Sequence, residues 1–123
     1  MKQTFQIIED ITVAAKANKT LREQMLADYE HVTGVMIVPH NLKDDISGLS
    51  LSCKIAQKEI LPSGTDAVLL AYNGNCARKD CIYNFKDDEI PARSSNAELV
   101  FYNSSNEDVR FNFYFILENQ ENE

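Results

Sequence analysis

Residues 109–117 put Val109, Phe111, Phe113, Phe115 and Leu117 at every second position. Successive side chains of an extended chain point to opposite faces, so this pattern predicts a strand laying an aromatic row on a core. Ala97, Leu99 and Phe101 form a second such row upstream. Between them Asn103, Ser104, Ser105, Asn106, Glu107 and Asp108 are rich in turn formers. A hairpin with the loop 104–108 would pair Asn103 with Val109, Phe101 with Phe111 and Leu99 with Phe113. A loop longer by one residue would set Phe101 against Arg110 and spoil both rows, so parity favours the shorter loop. The other face of that hairpin would carry Val100, Tyr102, Tyr114 and Ile116 among Glu98, Arg110 and Asn112, with Tyr102 opposite Arg110 as a cation–π pair. A face this apolar reads as an interface between copies. The competing reading is that the N-terminal 30 residues fold over it.

The rest of the chain continues the short-strand pattern. Residues 11–17 alternate as a first strand. Residues 20–30 are ambiguous: Thr20 and Glu23 make a capping box, with Leu21, Met25 and Tyr29 at helical spacing. A strand there would put Leu21, Glu23 and Met25 on one side. Residues 31–38 are almost continuously apolar up to Pro39, as in a strand covered on both faces. Residues 48–55 alternate cleanly. Pro62 and Gly64 suggest a turn before an apolar run at 67–72, and 81–85 reads as a further short strand. Residues 118–123 form an acidic tail. Seven or eight short strands with at most one helix predict a single all-β domain over 1–123, an antiparallel β-sandwich of jelly-roll type.

Chemistry is sparse. The formal charge is −7, from 12 basic and 19 acidic residues, which disfavours nucleic acid or an anionic membrane as partner. No apolar run reaches the length of a transmembrane helix, and the N-terminus lacks the apolar stretch of a signal peptide, so assembly in a cytoplasm is expected. Cys53, Cys76 and Cys81 are an odd set, expected as free thiols. Cys53 falls on a buried row, and Cys76 with Cys81 would be only half of a zinc site. His31 and His40 flank a strand without a nucleophile beside them in sequence. Asp44 with Asp45, and Asp87, Asp88 and Glu89, read as exposed loop acids. Asn18-Lys19-Thr20 and Asn103-Ser104-Ser105 match the glycosylation sequon by chance. No catalytic residue, metal site or cofactor is expected. An enzyme would need His31 or His40 brought beside a nucleophile or carboxylate pair. A carbohydrate-binding or adhesin-like module would show aromatics such as Tyr72 or Tyr83 lining a groove.

Three segments in order, Asp28-Tyr29-Glu30-His31-Val32-Thr33-Gly34-Val35, Glu59-Ile60-Leu61-Pro62-Ser63-Gly64-Thr65-Asp66 and Ile90-Pro91-Ala92-Arg93, followed by the aromatic hairpin, resemble small jelly-roll virion proteins of bacteriophages. Such proteins serve as capsid decoration, vertex, ring or fibre-base subunits. The resemblance spans about residues 28–117. It implies a non-enzymatic auxiliary capsid subunit that forms homo-oligomers and docks to other virion proteins, with the virion as its location.

Overall fold

In the computed structural model, residues 2–26, 29–41, 46–72, 83–84, 90, 92 and 95–119 are described. They form eight strands: β1 (Lys2–Val13), β2 (Asn18–Gln24), β3 (His31–Pro39), β4 (Leu49–Ile55), β5 (Lys58–Asp66), β6 (Tyr83–Asn84), β7 (Asn96–Asn103) and β8 (Val109–Asn119). One sheet has the order β1-β8-β3-β6 and the other β2-β7-β4-β5. Every strand pairing is antiparallel. This interleaving of two four-stranded sheets is the jelly-roll arrangement, as the strand pattern predicts.

The aromatic rows are where parity put them, but they are not a hairpin. β8 pairs with β1 and β3, whereas β7 pairs with β2 and β4. The loop 104–108 has the expected length, yet it carries the chain from one sheet to the other. Phe101 therefore lies beside Lys19 and Leu51, not beside Phe111. Phe111 lies beside Ile11 and Pro39. The two rows meet face to face across the core: the Phe101 ring lies 5.1 Å from Phe111 and 6.0 Å from Phe113, edge to face in both cases. Phe101, Phe111, Phe113 and Phe115 are all fully buried, and Leu51, Cys53, Ile55 and Leu99, in the same sheet as Phe101, belong to the same core.

Asn103 holds the crossing. Its side chain is buried, and its Nδ2 donates to the carbonyls of Val13 (3.1 Å) and Glu107 (2.7 Å). Its Oδ1 accepts from the backbone N–H and hydroxyl of Ser105, at 3.0 and 2.6 Å. Its backbone N–H donates to Ala17 at 3.0 Å. The second crossing, 14–17, runs alongside, with the Ala15 N–H on the Asp108 carboxylate at 3.0 Å. Gly48 closes the same end. A Cβ there would come within 3.0 Å of the Ser105 Cβ, so only glycine fits without a shift.

Other expectations are corrected. Of the helix and the strand that the sequence allows at 20–30, residues 18–24 form the strand, because seven consecutive residues pair with β7; tertiary pairing overrides a helical propensity worth only tenths of a kcal/mol per residue. β2 is an edge strand, so its inward-facing Lys19 reaches across the open rim to donate to the Thr12 carbonyl at 3.2 Å. The first strand spans Lys2–Val13 rather than 11–17. Its phase changes at a bulge between Ile8 and Ile11, where Asp10 takes φ 53° and bonds Asn112 and Arg110. Pro62 and Gly64 lie inside β5 rather than in a turn, which an edge strand with an irregular register tolerates. Residues 67–70 are a 3-10 helix, not a strand. Its three-residue period buries Ala67 and Leu70 and exposes Val68 and Leu69. β8 continues to Asn119, into the expected tail. β3 and β4 match their expected burial closely.

Two stability predictions follow from this packing. Phe113→Ala is expected to cost about 3–5 kcal/mol, and Asn112→Ala, on the outer face, at most about 1 kcal/mol; comparable shifts of the urea midpoint would contradict the burial assigned here. Asn103→Ala strips two carbonyls and one N–H of their side-chain partner in a buried setting, and is expected to cost about 2–4 kcal/mol. A loss below that of Asn112→Ala would show that the crossing is held otherwise.

Candidate functional site

Because β7 and β8 lie in different sheets, the four residues expected to share one interface are divided between two outer faces. Val100 and Tyr102 stand on the outside of the β2-β7-β4-β5 sheet. Tyr114 and Ile116 stand on the outside of the β1-β8-β3-β6 sheet. Arg110 is not opposite Tyr102; its guanidinium pairs with Asp10 at 3.0 Å, and Tyr102 sits between Asn18 and Ser50. The N-terminal residues do not cover a β7–β8 face either. β1 extends one sheet and β2 the other.

The outside of the first sheet is apolar. Register sets Phe5 beside Ile116 and Ile7 beside Tyr114, with Met36 on the far side of Tyr114. Ile116 and Met36 are buried although they face away from the inter-sheet core. Towards the β1 edge the strip opens, with Phe5 41% and Ile7 43% exposed. The Phe5 and Tyr114 rings meet edge to face at 5.9 Å. Sequence reading missed Phe5 and Ile7 because the bulge at 9–10 breaks the alternation between them and Ile11.

The outside of the second sheet is polar. Asn18, Tyr102 and Ser50 form one row across three strands; Thr20, Val100 and Ser52 form the next; Arg22, Glu98 and Lys54 form a third. Arg22 Nε contacts Glu98 Oε2 at 3.3 Å, both side chains being substantially exposed. With Gln57, Asn96 and Ala97 the third row bounds an open groove of about 540 Å³. Gln57 lies in the two-residue β4–β5 turn, where Ala56 and Gln57 both have positive φ. No local signal marks this row, since its members come from three strands distant in sequence.

The groups considered for chemistry stay apart. His40 is exposed beyond the end of β3, and its backbone N–H donates to Arg110. His31, at the start of β3, has a buried Nδ1 without a hydrogen-bond partner among the described residues. Among the described residues no three His, Cys, Asp or Glu side chains cluster as metal ligands. No helix among them is long and apolar enough to cross a membrane. Cys76, Cys81, Asp44, Asp45, Asp87, Asp88 and Glu89 lie outside the described residues, as does the side chain of Tyr83. Tyr72 is half-buried, its backbone N–H bonded to Ile37 of β3. Neither a protein-family model nor a curated protein matches the chain.

Cys53 is a free, fully buried thiol on β4. Burial disfavours the thiolate and pushes its pKa from 9.0 up to about 12. Native Cys53 is thus expected to resist alkylation at pH 8, read by peptide mapping, and to react only after unfolding. The folded-state value is the raised one, so its stabilising effect is complete below about 9 and is lost as pH rises towards about 12. Across that window the slope is at most about 1.4 kcal/mol per pH unit. Cys53→Ala should flatten this alkaline loss; an unchanged slope would refute the linkage.

Proposed function

We propose that this protein is a non-enzymatic structural subunit, of the auxiliary capsid type found in bacteriophage virions, that works by self-association and by docking to other virion proteins. The observation that carries the reading is the strip of Phe5, Ile7 and Tyr114 beside the β1 edge of a jelly-roll sheet, an edge to which no further strand pairs among the described residues. A free edge offers unpaired backbone groups, and natural sheets blunt such edges unless a partner covers them. The resemblance of the β3, β5 and pre-β7 segments to phage virion proteins supports the same class.

A second copy fits this edge by symmetry. An antiparallel β1–β1 contact with its two-fold axis at Gln6 sets Phe5 of each copy against Ile7 of the other, on the face where each is already exposed. That contact would extend the sheet to eight strands and bury the apolar strip by the isologous geometry commonest in homodimers. Val100 and Tyr102, on the opposite sheet, take no part in it, whereas Tyr114 and Ile116 support it from the neighbouring strand.

Light scattering coupled to size exclusion tests the reading. The wild type is expected to be oligomeric at tens of micromolar. Phe5→Asp with Ile7→Asp should give monomers with an unchanged circular-dichroism spectrum, while Lys54→Ala on the other sheet should leave assembly intact. A strictly monomeric wild type would overturn self-association through β1.

A further inference from the structure

We propose that the outer face of the β2-β7-β4-β5 sheet is a second, weaker self-association surface, on which two copies stack face to face about a two-fold axis running along the strands. The contact uses the sheet opposite the β1 edge and does not depend on that edge.

The charge pattern argues first. Register sets Arg22 on β2, Glu98 on β7, Lys54 on β4 and Glu59 on β5 in one row across the sheet. The signs alternate, one charge to each strand, and the row as a whole is neutral. Such a row attracts no ligand of one sign, but it is its own complement when reversed. A two-fold axis along the strands, between β7 and β4, performs that reversal. It sets Arg22 of each copy against Glu59 of the other, and Glu98 of each against Lys54 of the other. Every pair is then of opposite sign. A row with one charge fewer, or with a single sign, would bring like charges together under the same operation.

The charged heads are available for this. Lys54 and Glu59 are exposed and make no hydrogen bond or ion pair among the described residues. Arg22 meets Glu98 through Nε alone, at 3.3 Å, with 79% and 40% of the two side chains exposed. Most of its five-donor fork is thus unused. The rest of the face accepts the same axis. Tyr102, 42% exposed, would lie against Ser50 of the other copy, Val100 against Ser52 and Asn18 against Asp66, so no second acid meets Asp66. Sheets packed face to face keep their strands aligned within about 30°, as an axis along the strands provides.

Size sets the strength. The row spans three strand spacings, about 14 Å, and the Arg22 and Asn18 rows lie four residues apart, also about 14 Å. A patch this small buries less than about 1,200 Å² in total and belongs with weak contacts. Exposed ion pairs each add little to it. The contact therefore acts between copies already held close, where effective concentrations are high, and does not by itself assemble the chain at tens of micromolar.

Nitrogen-15 NMR of the whole chain, diluted from about 2 mM to about 0.05 mM, tests the proposal. The amides of residues 22, 54, 59 and 98 are expected to shift with a dissociation constant of about 1 mM, while those of residues 5–8 report the β1 contact separately. Sodium chloride at about 0.5 M should weaken the association several-fold. Glu98→Lys and Lys54→Glu should each weaken it at least about tenfold, because each sets like charges together twice. Mixing the two variants, one labelled and one not, should restore the wild-type constant, since every pair is again of opposite sign. A single chain carrying both changes should self-associate as the wild type does, which tests the same pairing without mixing. An ion pair confined to one chain could not be mended by adding a second variant. All these side chains are exposed, so the spectra should keep the wild-type dispersion. Wild-type shifts absent at about 2 mM, shifts indifferent to salt, or a mixture no tighter than either variant alone would each overturn the proposal.

Discussion

The fold depends on where the chain changes sheets, and Asn103 fixes that place. A strand can continue into a hairpin and keep its neighbour in the plane of the sheet. It can instead cross the core and keep the same residues in view across the sandwich. Asn103 bonds the ends of both crossings at once, through Val13 and Ala17 on one side and Ser105 and Glu107 on the other. A buried amide is costly unless its donors and acceptor are satisfied. Here they are, and the satisfied arrangement exists only when the 14–17 and 104–108 crossings lie side by side. That juxtaposition commits β1 to β8 and β2 to β7.

With those pairings made, the core follows from packing. The Phe101, Phe111, Phe113 and Phe115 rings form one edge-to-face chain through the middle of the sandwich, with neighbouring centroids 5.0–6.0 Å apart. Each such contact adds to the burial of the rings. The rim is tied differently. Gln6 on β1 donates to the Gln24 carbonyl and accepts from the Leu26 N–H, reaching across to the end of β2. Lys19 makes the reverse reach from β2 to β1. The open side of the sandwich is thus closed by polar side chains where its two edge strands leave too little depth for an apolar core.

The two outer faces have been left with opposite character. One carries aromatic and aliphatic side chains running out to the β1 edge; the other is polar. The apolar strip ends at the bulge at Asp10, where the positive φ and the Arg110 ion pair interrupt regular strand geometry. An interrupted edge limits indefinite strand addition while leaving the first half of β1 open.

Alternation determined the class of this protein and the inward residues of β4, β7 and β8, because the two-residue period of a strand is a local property of the backbone, while the unbroken apolar run of β3 marked it as covered on both faces. It also gave the length of the 104–108 loop. Alternation cannot say which strand lies beside which. Phe101 faces Phe111 in a hairpin and across a sandwich alike, and the sequence distinguishes the two only through the partners that β1 and β2 supply. Those strands were obscured for separate reasons: a bulge reverses the phase of β1, and β2 is an edge strand built from good helix formers. The Arg22–Glu98–Lys54 row and the Phe5–Ile7–Tyr114 strip lay beyond sequence reading for the same cause. Each is assembled from strands far apart in the chain, and only the hydrogen-bonded register between them decides which side chains stand together.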